Sequence, residues 1–145
     1  LIAVIALVYI VNSIMGSISS QFGFELSIEI ILGYIFAPIA WLMGIPWSEA
    51  VISGELLGIK TTLNEFVAYP ALAALENGEL SERSKLITFY SLCGFANLSS
   101  VGILISGITA MAPERKDDLI NVSFKALVGA TLASCMTGLI VGIFI

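Results

Sequence analysis

An all-α integral membrane protein, built from transmembrane helices, a re-entrant helical hairpin and one discontinuous helix, is the fold class this sequence predicts. Three observations carry it. Hydrophobic residues make up 58% of the 145 positions and charged residues only 12%, against about 45–50% and ~25% in ordinary soluble chains. Apolar runs near 1–20, 86–111 and 122–145 are each long enough to cross a hydrocarbon core of about 30 Å as a helix. Inside this apolar background, "GIKTTLNEFVAYP" at 58–70 and "GFANLSSVG" at 94–102 concentrate polar groups. An acid or a base at the centre of a spanning helix costs about 2.5–3.5 kcal/mol on insertion scales, so such residues mark function by default.

Residues 1–20 run from "LIAVIALVYIV" through Met15 without a charge, and the first charged residue of the chain is Glu25. The basic n-region and small-residue cleavage site of a signal peptide are both missing, so this stretch reads as a spanning helix. The sequence begins at Leu1 inside that helix, as a piece of a longer polypeptide would. Residues 21–45 form a connecting segment. Its apolar part, 28–45, holds Pro38 in its interior, with Trp41 within it and Trp47 just beyond, which fits an interfacial helix or a kinked, partial crossing better than a clean span.

Between 46 and 77 the apolar segments shorten to about ten residues, too few to cross. A pair of half-length helices, broken at residues 54–58 with a tip near "GELLGIK", is the expected re-entrant hairpin. Gly54 and Gly58 form a GxxxG pair, expected to let the two helices approach closely at that tip. Residues 78–112 form the discontinuous element. Two glycines, an asparagine and two serines within 94–102 exceed what helix packing usually asks for, and broken helices at the midplane are where secondary transporters meet solute and ion. Residues 113–145 supply a loop and the last spanning helix. Arg115, Lys116 and Lys125 outnumber Arg83 and Lys85 of the 76–85 loop, which places the 113–125 end in the cytoplasm and the C-terminus outside.

Composition also excludes chemistry. The absence of histidine removes Ser-His and Cys-His nucleophile pairs and histidine metal sites. Cys93 and Cys135 sit in apolar runs and read as small buried thiols without a disulfide framework. No nucleophile, base and orienting group converge by spacing, so neither an enzyme nor a cofactor is expected. The net charge of −5 is scattered over connecting segments, and no basic patch suggests nucleic acid.

"GIKTTLNEFVAY" followed by "CGFANLSSVGILISG" resembles the paired signature of concentrative nucleoside transporters, the first string in the second re-entrant hairpin and the second in the following broken helix. "LGYIFAPIAWLMGIPWSEA" before and "MAPERKDDLINVSFKALVGATLAS" after extend the resemblance over nearly the whole chain. It implies the C-terminal half of a bacterial-type member with a two-repeat fold. It further implies sodium- or proton-coupled nucleoside uptake by alternating access, a homotrimer in the cell membrane with several crossings, and a scaffold role for residues 1–20. A nucleoside-sensing or gating protein of the same fold without transport is the alternative. The base-edge ligands and the coupling-ion ligands of the family belong to the N-terminal half, so none is assigned here.

Residue by residue, the resemblance gives Glu65, Asn97 and Ser100 hydrogen bonds to ribose hydroxyls and gives Phe95 packing on the nucleobase. The chemistry agrees: a carboxylate accepts from vicinal hydroxyls, an amide donates and accepts, and an aromatic face suits a flat base. Asn97 and Ser100, three apart, share a helical face where the segment is helical. Supporting roles fall to Lys60, Thr61 and Asn64. Lys60, five residues from Glu65 and so on a different face, is expected to be structural, either capping the tip or neutralising a nearby acid. Asn64 is expected to brace the hairpin through backbone carbonyls, and Thr61 to orient Glu65 from the i,i+4 position.

Overall fold

The computed structural model describes residues 2–24, 26–76 and 78–145; Leu1 and Asn77, end residues of the expected first span and hairpin, and Glu25 lie outside the described residues. Among the described residues all extended regular structure is helical: α1 (Ile2–Ser19), α2 (Ile28–Leu42), α3 (Trp47–Thr62), α4 (Glu65–Ala74), α5 (Glu82–Leu92), α6 (Leu98–Met111) and α7 (Lys116–Phe144). Short 3-10 turns at Ser20–Phe22 and Pro113–Arg115 join α1 onward and α6 to α7.

With 29 residues, α7 is about 44 Å long. Among the described residues it alone forms a helix long and apolar enough to cross a membrane by itself. The apolar run at 86–111 is divided between α5 and α6, which leave 93–97 non-helical. The 15-residue α2 passes through Pro38 as one helix and, at about 22 Å, is shorter than a hydrocarbon core.

Two glycine-lined seams hold the fold. Along the first, α2 lies against α3: a Cβ built on Gly54 would strike the Gly33 carbonyl oxygen, and one on Gly58 would lie 2.8 Å from Leu32 Cβ. This corrects the expected position of the hairpin tip. Gly54 and Gly58 sit inside an unbroken α3 and face α2, and the chain turns at Leu63 and Asn64 instead. The glycines serve approach between backbones, a packing use that leaves the helix intact. Along the second seam, α5 lies against α7: a Cβ on Gly142 would come 2.9 Å from Ile87 Cδ1, and one on Gly138 2.6 Å from the Ile87 carbonyl oxygen.

The buried core, including Phe36, Met43, Leu57, Ile87, Leu92 and Cys135, lies where α2, α3, α5 and α7 meet. Arg83 ties its edge together: the guanidinium donates to the carbonyls of Gly44 and Gly142, both at 2.6 Å, and of Ile145 at 3.3 Å. Helix α1 reaches this body through Asn12, whose Nδ2 donates to both carboxylate oxygens of Glu29 at 2.9 and 2.8 Å while its Oδ1 accepts from Ile28 N–H. Ser27 completes that start of α2 as its N-cap. Outward faces of α1 and α7 expose large apolar side chains such as Tyr9, Ile10, Phe124 and Met136, the surface that lipid or further protein covers.

Candidate functional site at the hairpin tip and helix break

The site begins with two helix starts. Helix α3 closes at Thr62, where the hydroxyls of Thr61 and Thr62 donate back to the carbonyls of Leu57 and Gly58 at 2.7 and 2.8 Å. Asn64 then adopts an extended backbone, and its side chain accepts from Val67 N–H at 3.1 Å, which makes it the N-cap of α4. Glu65 is thereby the first residue of α4, where the positive end of the helix dipole favours a carboxylate.

A second start repeats the device. Helix α5 ends at Leu92, and Asn97 caps α6: its Oδ1 accepts from Ser100 N–H at 2.7 Å while Ser100 Oγ accepts from Asn97 N–H at 3.2 Å, a reciprocal capping box. The two starts meet where Asn97 Nδ2 donates to Glu65 Oε2 at 3.1 Å. Asn97 is fully buried and Ser100 is 3% exposed. The partly buried Glu65 therefore has a neutral amide donor and two helix N-termini about it, all of which favour a carboxylate there.

Of the residues singled out from the sequence, Glu65, Asn97 and Ser100 come together. Ser100 serves first as a cap, since its hydroxyl also donates to the Asn97 carbonyl at 2.7 Å. Phe95, in the break, is 59% exposed and stands at the mouth of an apolar crevice of about 220 Å³ between α6 and α7, with Ser100 and Leu127.

Three supporting expectations are corrected. Thr61 shares no helical face with Glu65, because the chain breaks between them, and its hydroxyl bonds within α3. Asn64 accepts from a backbone N–H instead of donating to carbonyls. Lys60 neither caps the tip nor pairs with an acid: its Nζ donates to the Ser91 carbonyl at 3.1 Å, and the ion pairs seen among the described residues are Lys85 with Glu82 and Arg115 with Asp118. The thiols also differ from expectation. Cys135 is buried, but Cys93 is exposed because it falls in the break.

Two contacts escape the sequence reading. Ser99 Oγ donates to the Leu63 carbonyl at 3.3 Å, so the first serine of the Ser-Ser pair holds the tip against the break. Tyr69 OH donates to Cys93 Sγ at 3.0 Å, and its ring lies 5.0 Å from that of Phe89. Both partners are backbone or weakly polar atoms far away in sequence, which no local spacing reveals. Among the described residues no group of three or more His, Cys, Asp or Glu could hold a metal ion.

The family model described as "Na+ dependent nucleoside transporter C-terminus" matches residues 1–142. The chain belongs to the concentrative nucleoside transporters. This is a family of transporters and not of enzymes. Among its relatives, the uncharacterized transporter YutK of Bacillus subtilis is 42% identical over 146 residues, covering 100% of this chain and 36% of that protein. Solute carrier family 28 member 3 of Mus musculus is 42% identical over 99% of the chain and 22% of its own length. The nucleoside permease NupC of Helicobacter pylori is 45% identical over 83% of the chain and 30% of its length.

Solved structures agree with the fold. An asparagine-to-leucine variant of CNTnw in its intermediate 2 state superposes with a TM-score of 0.91 at 41% identity, over 99% of this chain and 36% of that one. CNTnw in an inward-facing substrate-bound state gives 0.84 at 40% identity, again over 99% and 36%. An all-α membrane transporter fold is thus the architecture of the chain, which spans between 22% and 36% of the length of these relatives.

Proposed function

We propose that this chain supplies the ribose-binding half of an ion-coupled nucleoside transporter, with Glu65, Asn97 and Ser100 as sugar ligands and Phe95 as the base platform. The observation that carries it is the Asn97–Glu65 hydrogen bond at 3.1 Å, which brings two capped helix starts onto one carboxylate. An ionised carboxylate has about four lone-pair sites. The Asn97 amide uses one and leaves others for the vicinal hydroxyls of a ribose. The exposed ring of Phe95 offers its face to a flat base.

In this reading α3 and α4 form the hairpin, α5 and α6 form the broken helix, and together with α7 they move as a unit against a scaffold that includes α1. Sodium or proton drives the cycle through ligands in the N-terminal half, and the complete protein is a multi-pass homotrimer of the cell membrane. The family description and the relative named as a nucleoside permease support the substrate class. Uridine uptake by proteoliposomes holding the complete transporter tests it: saturable, gradient-dependent uptake that Glu65→Ala abolishes is expected. Absence of saturable nucleoside uptake, or uptake indifferent to Glu65→Ala, contradicts it.

A further inference from the structure

Lys60 is fully buried, and its ammonium meets the carbonyl of Ser91 in the last turn of α5. That end of a helix carries about half a negative charge, spread over carbonyls without intrahelical partners. The chain leaves α5 here through Gly94, where an added Cβ would strike Ser134 Oγ of α7 and lie 3.5 Å from Lys60 Nζ, an ordinary contact. The bare backbone thus admits Ser134 beside the ammonium. Glu65, Cys93 and Cys135 are the ionisable groups within its electrostatic reach, and no acid forms an ion pair with it among the described residues.

The buried or part-buried bonds that join the hairpin to the broken helix include Lys60 to the Ser91 carbonyl, Ser99 to the Leu63 carbonyl, Asn97 to Glu65, and the hydroxyls of Ser53 and Thr88 with each other. The first is the one that carries a positive charge. In secondary transporters the carbonyl ends of half-helices are where coupling cations bind. Here the protein's own side chain has that position.

We propose that the Lys60 ammonium is a resident cation at the C-terminal end of α5, in the position a bound coupling ion would take, and that its charge pins the hairpin to the broken helix so that Glu65 and Asn97 meet. This rests on the nucleoside reading above and makes Lys60 a positioning residue for that site. A lysine that only filled space would act through its stem, which methionine reproduces. A resident cation acts through its charge and its N–H donors, which methionine lacks.

The test measures uridine affinity by titration calorimetry on the complete transporter carrying this chain, with Lys60→Met and Lys60→Ala beside the wild type. Both substitutions are expected to weaken uridine binding by about tenfold or more, in line with the loss of one charge-assisted bond. Propylammonium at millimolar concentration is expected to restore Lys60→Ala, whose truncated stem leaves a slot, and not Lys60→Met, which fills it. Tetramethylammonium, a cation without N–H donors, is expected to restore neither. Affinity of Lys60→Met within about twofold of wild type overturns the proposal, because the stem then suffices. So does a Lys60→Ala variant that propylammonium leaves unchanged. If both variants fail to give a monodisperse particle on size exclusion, Lys60 is a folding element and the proposal falls. A wild type that binds no uridine overturns the nucleoside reading itself and this inference with it, an outcome distinct from the others.

Discussion

Asn97 does two jobs with one side chain: Oδ1 accepts from Ser100 N–H at 2.7 Å to start α6, and Nδ2 donates to Glu65 Oε2 at 3.1 Å across the gap to α4. The carboxamide is the group that can cap a helix and feed a carboxylate at once, because it carries an acceptor and donors on the same carbon.

These two jobs separate on mutation. Asn97→Ser keeps an N-cap hydroxyl and loses the bond to Glu65, so thermal stability in detergent is expected to change by no more than about 1 kcal/mol. Nucleoside affinity is expected to fall by about tenfold or more, as a hydrogen bond to a charged group contributes about 1.5–3 kcal/mol. Asn97→Asp keeps the cap and sets two carboxylates together, and should bind more weakly than Asn97→Ser. Paired melting curves and binding isotherms check this, and a parallel loss of stability and affinity in Asn97→Ser contradicts it.

The α2–α3 seam gives a stability prediction. Gly54→Ala places a methyl on the Gly33 carbonyl, so the helices must separate, at a cost of about 1–3 kcal/mol. At Gly107 a Cβ meets nothing within 4 Å, and Gly107→Ala in the middle of α6 should be neutral or slightly stabilising through helix propensity. Fluorescence-detected melting of the two variants side by side decides it: an unchanged Gly54→Ala melting temperature would show that the seam is loose.

The orientation we propose rests on Arg115 and Lys116 at the start of α7 and Lys125 nine residues on. With that end cytoplasmic, a cysteine introduced at Glu114, in a background where Cys93 and Cys135 are serine, should resist a membrane-impermeant maleimide in intact cells and react after permeabilisation. Labelling from outside intact cells reverses the orientation.

The helical class, the break near 94–102 and the polar cluster were legible because their signals are local: apolar length, a run of small residues, and charges in a greasy context. The expected tip near residues 54–60 was not, for a physical reason. Glycine permits a turn and permits close packing, and only the partner decides; here Gly33 of α2 lies opposite Gly54, so the helix continues and Asn64 makes the turn. Lys60 failed for a related reason. Sequence separation from Glu65 rules out a shared helical face but says nothing of the Ser91 carbonyl, 31 residues away. Thr61 was misread because the i,i+4 rule holds only inside one helix, and α3 ends at Thr62.

The central claim is that Glu65 is a ribose ligand, and the sugar itself is its most direct probe. In the complete transporter, the affinities of a ribonucleoside and of the deoxynucleoside lacking the hydroxyl that meets Glu65 are measured for wild type and for Glu65→Gln, giving a double-mutant cycle with the ligand as one partner. The ribonucleoside should lose roughly 10- to 100-fold on mutation, the deoxynucleoside little further, and the coupling term should equal most of the ribose advantage. Equal losses for both sugars, or no loss in either, would show that the Glu65 carboxylate holds the fold and not the nucleoside.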